Sequence, residues 1–198
     1  QIAADGRTVV YLHQSNTEPP EVWRGAAPLS HHNDSAVATL DLPGLEPFGF
    51  VGALGDSVFG WLQRPPGFDP AKRYPLVYLI HGGPQGAWTD YWGSRWNYQM
   101  FAARGWVVAM VNFHGSTGYG QAFTDSISGD WGGKPLEDLQ KGLAAALGQY
   151  DWLDGDRACA APIAAERADS TRLVAAIAVL ACDNAIPSAM PEPKEAPT

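Results

Sequence analysis

The residues best suited to chemistry lie near the middle of the chain, in the run His81-Gly82-Gly83-Pro84. Two consecutive glycines let main-chain N–H groups approach a reacting oxygen with no Cβ in the way, which is what an oxyanion hole requires. A plain strand-to-loop turn is the other reading of the same four residues, and so short a motif leaves both open. A second glycine-rich loop, 112–120, contains His114. Its glycine spacing fits neither a Walker loop nor a dinucleotide fingerprint, and Gly132-Gly133-Lys134 runs into Pro135 rather than Ser or Thr, so a nucleotide has little support. His31, His32 and Asp34 could be imagined as metal ligands, but no helix or strand pattern aims them at one point. No metal and no cofactor are expected.

The elements that must position these loops follow from hydrophobic patterning. Leu76 to Ile80 is a continuous apolar run, read as a buried strand that delivers its carboxyl end to His81. A helix is predicted near Arg95 to Arg104, with Trp96, Met100 and Ala103 on its apolar face, and Gly105 stands where a C-cap glycine belongs. A strand over Trp106 to Val111 then completes a βαβ unit, which requires parallel pairing. Two parallel strands opening into glycine loops at one sheet edge would wall a crevice. Pro135 suits the first position of a helix running to about Tyr150, with Glu137 and Asp138 toward its positive end and Leu136, Leu139, Leu143, Leu147 and Tyr150 as its apolar stripe. A third parallel strand is predicted after Asp154.

Upstream, Thr8 to His13 and Glu21 to Arg24 read as a hairpin, 29–47 as a linker, and Phe48 to Val51 with Ser57 to Gln63 as a second hairpin. An isolated hairpin is marginal in water, so the first must dock on something. Gly55-Asp56-Ser57 superficially resembles the serine block of lipase-like Gly-Asp-Ser hydrolases, but the serine starts an alternating strand and no later histidine block exists, so a turn is the better reading.

Composition narrows the classes. With 198 residues, 45% hydrophobic and 17% charged, the chain has the make-up of a globular protein. A net charge of −8 without a Lys/Arg cluster argues against nucleic acid as a partner. The apolar run Leu173 to Cys182 is too short for a membrane span, so no membrane partner is expected. Cys159 and Cys182 are too few for a disulfide scaffold and read as small buried residues. The chain opens on Gln1, and its true start is expected upstream.

The succession Trp61 to Pro70, Tyr74 to Trp88, Val111 to Phe123 and Ile127 to Leu139 resembles the start of the catalytic domain of the prolyl oligopeptidase family, in its bacterial dipeptidyl peptidase and acylaminoacyl-peptidase branch. The resemblance implies the fold class: α/β, a partial α/β-hydrolase fold preceded by a β-propeller remnant. It divides the chain into 1–45, the end of a propeller and its linker; 46–160, the first part of the peptidase domain; and 161–198, an aberrant or disordered tail. It implies that the Gly83 N–H is one oxyanion donor, that His81, Gly82 and Pro84 shape the site, and that His114 stands at a substrate-facing position where many relatives have arginine.

The resemblance stops at about Ala160, where such enzymes continue into a Gly-x-Ser-x-Gly nucleophile elbow. No such motif occurs in the 198 residues and the last histidine is His114, so none of the triad is assigned. The reading for 161–198 is an out-of-frame tail after a frameshift or premature end, set against a genuine divergent tail with an Ala-rich helix from Ala164 to Ala181. The implied function is serine-type cleavage of short peptides through an acyl-enzyme, inactive in this chain as given. The alternatives are a non-catalytic peptide-binding or scaffold protein and an α/β-hydrolase esterase. A serine held by a histidine beside the Gly83 pocket would contradict the inactive reading.

Overall fold

The computed structural model describes residues 2, 5–83 and 85–162. Pro84 and residues 163–198, with Cys182 and the predicted Ala-rich helix, lie outside the described residues. In chain order the elements are Val10–His13 (β1), Glu21–Arg24 (β2), Ala27–Pro28 (β3), Asp34–Val37 (α1), Leu45–Val51 (β4), a 3-10 turn at Ala53–Gly55, Ser57–Gln63 (β5), Tyr74–Ile80 (β6), Tyr98–Ala102 (α2), Val107–Asn112 (β7), Gln121–Asp125 (α3), Lys134–Gln149 (α4) and Leu153–Pro162 (β8).

The strands form two sheets, an antiparallel one in the order β1-β2-β3 and a mixed one in the order β4-β5-β7-β6-β8. In the mixed sheet β6 pairs in parallel with both β7 and β8, while β5 joins β7 antiparallel. β6 and β7 are apolar along their length because both of their faces are covered. Leu76, Tyr78 and Ile80 of β6 pack with Leu139 and Ala146 of α4. The alternate residues Val77 and Leu79 pack with Tyr98 and Ala102 of α2. The period-two alternation of a strand thus places the two helices on opposite faces. The chain leaves β6 toward one face and β7 toward the other, so the loops after these two neighbours part at the carboxyl edge of the sheet, the edge where open α/β sheets form their crevices.

Three local expectations are corrected. The first hairpin gains a third strand, with Trp23 and Arg24 pairing Pro28 and Ala27. The stretch 29–47 is not all linker: it holds α1 and the start of β4. Pro47 is accommodated inside β4 because that strand is an edge, where a missing N–H breaks no ladder. The helix predicted near Arg95 to Arg104 is a single turn at Tyr98–Ala102, started by the Asn97 side chain accepting the Gln99 N–H. That cap resets the helix face. Tyr98, Gln99 and Ala102 turn inward, whereas Met100 is exposed and Trp96 lies ahead of the helix.

The β1–β3 sheet docks on the mixed sheet through Asn16, in the loop after β1. Its N–H donates to Asp90 Oδ1 at 2.6 Å and its buried amide to Gln63 Oε1 at 2.6 Å and to the Pro43 carbonyl at 3.1 Å. Among the described residues no helix is long and apolar enough to cross a membrane.

Candidate active site

β6 ends at Ile80 and the chain turns at once through His81, Gly82 and Gly83. Gly83 has φ +134°, and a Cβ there would meet Gln85 N at 2.6 Å, so this turn requires glycine. Gly83 is exposed, and among the described residues nothing accepts its N–H. An N–H in that position can donate to an oxygen entering the crevice.

His81 is held from both sides. Its ring stacks on Phe113 with centroids 4.2 Å apart and meets Trp88 edge-on. Nε2 lies 2.9 Å from Ser116 Oγ, and Nδ1 lies 3.0 Å from the Gly82 carbonyl oxygen. Burial pushes the pKa of His81 down to about 4, opposed by the Gly82 carbonyl, so the ring is neutral at pH 7. Ser116 Oγ is also 2.6 Å from the Phe113 carbonyl, so two hydrogens serve three close contacts.

This is a serine hydrogen-bonded to a histidine beside the Gly83 turn, the arrangement that sequence reasoning set as its contradiction. Its surroundings argue for a tie between two loops. The Ser116 side chain has no solvent exposure, the histidine is a weak base, and Nδ1 faces a backbone carbonyl where a general base would need an orienting carboxylate. Thr117 N–H to Gly86 O, 2.9 Å, stitches the same two loops.

His114 is fully buried, stacked on Phe123 with centroids 4.3 Å apart, and presents no surface to a ligand in this structure. Its Nδ1 and its N–H lie 2.6 Å and 2.7 Å from Asp138 Oδ2, and its Nε2 lies 3.2 Å from Asp56 Oδ2. Asp138 Oδ1 accepts the Ala53 N–H at 2.7 Å. Asp138 therefore does not act on the dipole of α4: it is wholly buried and braces the loop after β7 against the β4–β5 turn. Its charge, behind the larger effect of burial, also raises the Tyr78 pKa. Sequence reasoning named Asp138 and Asp56 but missed their contacts with His114. The available signal was a carboxylate on the inward stripe of α4, one residue before Leu139, where burial demands a partner.

Other candidates stay apart from this site. His31 Nδ1 is 2.8 Å from Asp34 Oδ2 on the exposed surface, and no group of three or more metal-type side chains occurs among the described residues. Asp56 and Ser57 lie at the end of the β4–β5 turn and the start of β5. Cys159 is half-buried against the apolar face that carries α2.

Solved structures share this architecture. An uncomplexed Pyrococcus horikoshii acylaminoacyl peptidase superposes with a TM-score of 0.72 at 23% identity, over 79% of this chain and 25% of that one. A Mycobacterium tuberculosis puromycin-hydrolyzing peptidase gives 0.63 at 26% identity, over 82% and 26%. The mixed sheet is thus of the α/β-hydrolase type. In sequence, residues 92–161 match the prolyl oligopeptidase family. The chain is 46% identical over 112 residues to the dipeptidyl-peptidase 5 of Schizosaccharomyces pombe, covering 57% of this chain and 16% of that protein. It is 40% identical over 161 residues to that of Trichophyton equinum, covering 81% and 20%. The chain carries a prolyl oligopeptidase family segment homologous to dipeptidyl-peptidases 5, and spans at most 20% of the length of these two relatives.

Proposed function

We propose that this chain supplies the oxyanion side of a serine peptidase site that takes short peptides. The observation that carries this reading is the exposed Gly83 N–H, without an acceptor among the described residues, at the mouth between β6 and β7. His81 and Gly82 shape the turn, and His114 serves from behind, through Asp138. The similarity to dipeptidyl-peptidases 5 supports a peptide as the ligand. On this reading β1–β3 is the end of a propeller, 46–160 the first part of the hydrolase domain, and 161–198 an aberrant tail.

The 198 residues contain no Gly-x-Ser-x-Gly, so the proposal extends to binding without turnover. An oxyanion site without its nucleophile retains only weak residual catalysis. Two measurements on the 198-residue chain test this: titration calorimetry with the blocked tripeptide amide Z-Gly-Gly-Phe-NH2, and hydrolysis of a dipeptidyl p-nitroanilide. Saturable binding with no release of nitroaniline is expected. Absence of binding would overturn the peptide-site reading, and turnover that survives serine-reagent controls would overturn the inactive one.

A further inference from the structure

Asn112, the last residue of β7, is buried, and its side-chain amide is fully engaged. Oδ1 accepts the Trp88 N–H at 2.7 Å, while Nδ2 donates to the Trp88 carbonyl at 3.0 Å and to the Tyr119 hydroxyl at 2.8 Å. One side chain thus holds the loop after the Gly83 turn and the loop after β7 in fixed register. The Trp88 carbonyl is pinned further by Trp61 Nε1 at 3.1 Å.

The direction of these bonds has a chemical consequence. An amide N–H can only donate, so the Tyr119 oxygen is an acceptor toward Asn112, and its own hydrogen must point elsewhere. Among the described residues nothing accepts that hydrogen. The Trp88 indole Nε1–H, buried, has no acceptor among them either. Both residues held by Asn112 therefore carry a spare donor, and neither carries a spare strong acceptor on its side chain. The phenol is also immobilised: its ring stacks parallel to Phe59 at 6.1 Å and leans on Phe123 at 5.5 Å, with the residue 38% exposed. A rigid, partly exposed donor beside the loop that follows the Gly83 turn suits a ligand that brings carbonyl oxygens.

We infer that Tyr119 is a substrate-positioning residue whose hydroxyl, oriented by Asn112, donates a hydrogen bond to one carbonyl oxygen of the bound peptide. This rests on the reading of the crevice as a peptide site. It assigns the residue a binding contact and no part in bond cleavage.

The test uses the 198-residue chain, Z-Gly-Gly-Phe-NH2, and a set of analogues in which one carbonyl at a time is replaced by CH2. Tyr119→Phe keeps the ring stack and removes the donor, and near-UV circular dichroism reports whether packing is kept. The variant is expected to bind the parent peptide about three- to tenfold more weakly, the range of one hydrogen bond. One analogue is expected to bind wild type and Tyr119→Phe equally, while the others keep the difference. A merely structural tyrosine would weaken every ligand by the same factor, which would overturn the inference, as would an unchanged affinity for the parent. In wild-type protein labelled at tyrosine, the Tyr119 ζ-carbon resonance should shift with the parent peptide and not with that analogue. This decides the matter even if the variant does not fold. Wild-type protein that fails to bind the parent at all overturns the peptide-site reading and this inference together, whereas binding that ignores Tyr119 overturns the inference alone.

Discussion

Removing the Asp138 carboxylate should destabilise the fold far more than an ordinary helix substitution. In the native protein it accepts from the Ala53 N–H, the His114 N–H and His114 Nδ1, all within 2.7 Å, at a site without solvent exposure. Asp138→Ala leaves those donors without a partner, at about 1–3 kcal/mol for each buried group. Relief of the carboxylate's own desolvation offsets part of that sum, and the net cost of breaking a buried pair by deleting one member is about 3–5 kcal/mol. Asp138→Asn keeps one acceptor oxygen and turns an NH2 toward a donor, so its cost should be smaller, about 2 kcal/mol. Urea unfolding followed by far-UV circular dichroism reads both values. With a slope of about 2 kcal/mol/M, the midpoint for Asp138→Ala should fall by about 1.5–2.5 M. A loss below about 1 kcal/mol would refute the assignment of Asp138 as the brace between the β4–β5 turn, the loop after β7 and α4.

Three further outcomes follow from the geometry. The pKa of His81 is depressed to about 4 in the fold and returns to 6.5 on unfolding, so the unfolded chain binds the extra proton; its contribution to stability is complete above pH 6.5 and is lost as pH falls toward 4. Relative to His81→Phe, wild type should lose roughly 3 kcal/mol across that window, measured by urea unfolding at a series of pH values. Gly142→Ala would place a Cβ 2.8 Å from both Tyr78 Oη and Val111 Cγ2, where α4 packs on the sheet, and thermal unfolding should report a loss of about 1–3 kcal/mol. Gly83→Ala should displace the turn and weaken the blocked tripeptide amide by about tenfold or more in calorimetry, a loss of roughly 1.4 kcal/mol or greater.

Much of the frame could be read from local pattern. The unbroken apolar runs of β6 and β7 announced strands covered on both faces, and Pro135 with the leucine stripe announced α4 within a residue of its start. The position of α2 was legible, but its short length and its inward face were not, because the Asn97 cap rather than the hydrophobic period sets them. The polar contacts of the site were harder to foresee. Asp56, His114 and Asp138 converge from three separate segments: the crossover from β7 through α4 to β8 carries Asp138 back to His114, and the antiparallel pairing of β5 with β7 brings Asp56. Asn112 likewise reads as the last polar residue of a strand, and its hold on Trp88 and Tyr119 depends on loops that carry no periodicity.

On the proposed reading the turn at Gly83 binds an oxygen, while Ser116, hydrogen-bonded to His81, ties two loops together and attacks nothing. Treatment of the folded 198-residue chain with a fluorophosphonate, followed by intact-mass and peptide mass spectrometry, tests this directly. An unmodified mass is expected under conditions that label a control serine hydrolase completely. A stoichiometric adduct on Ser116, lost in His81→Phe, would contradict it.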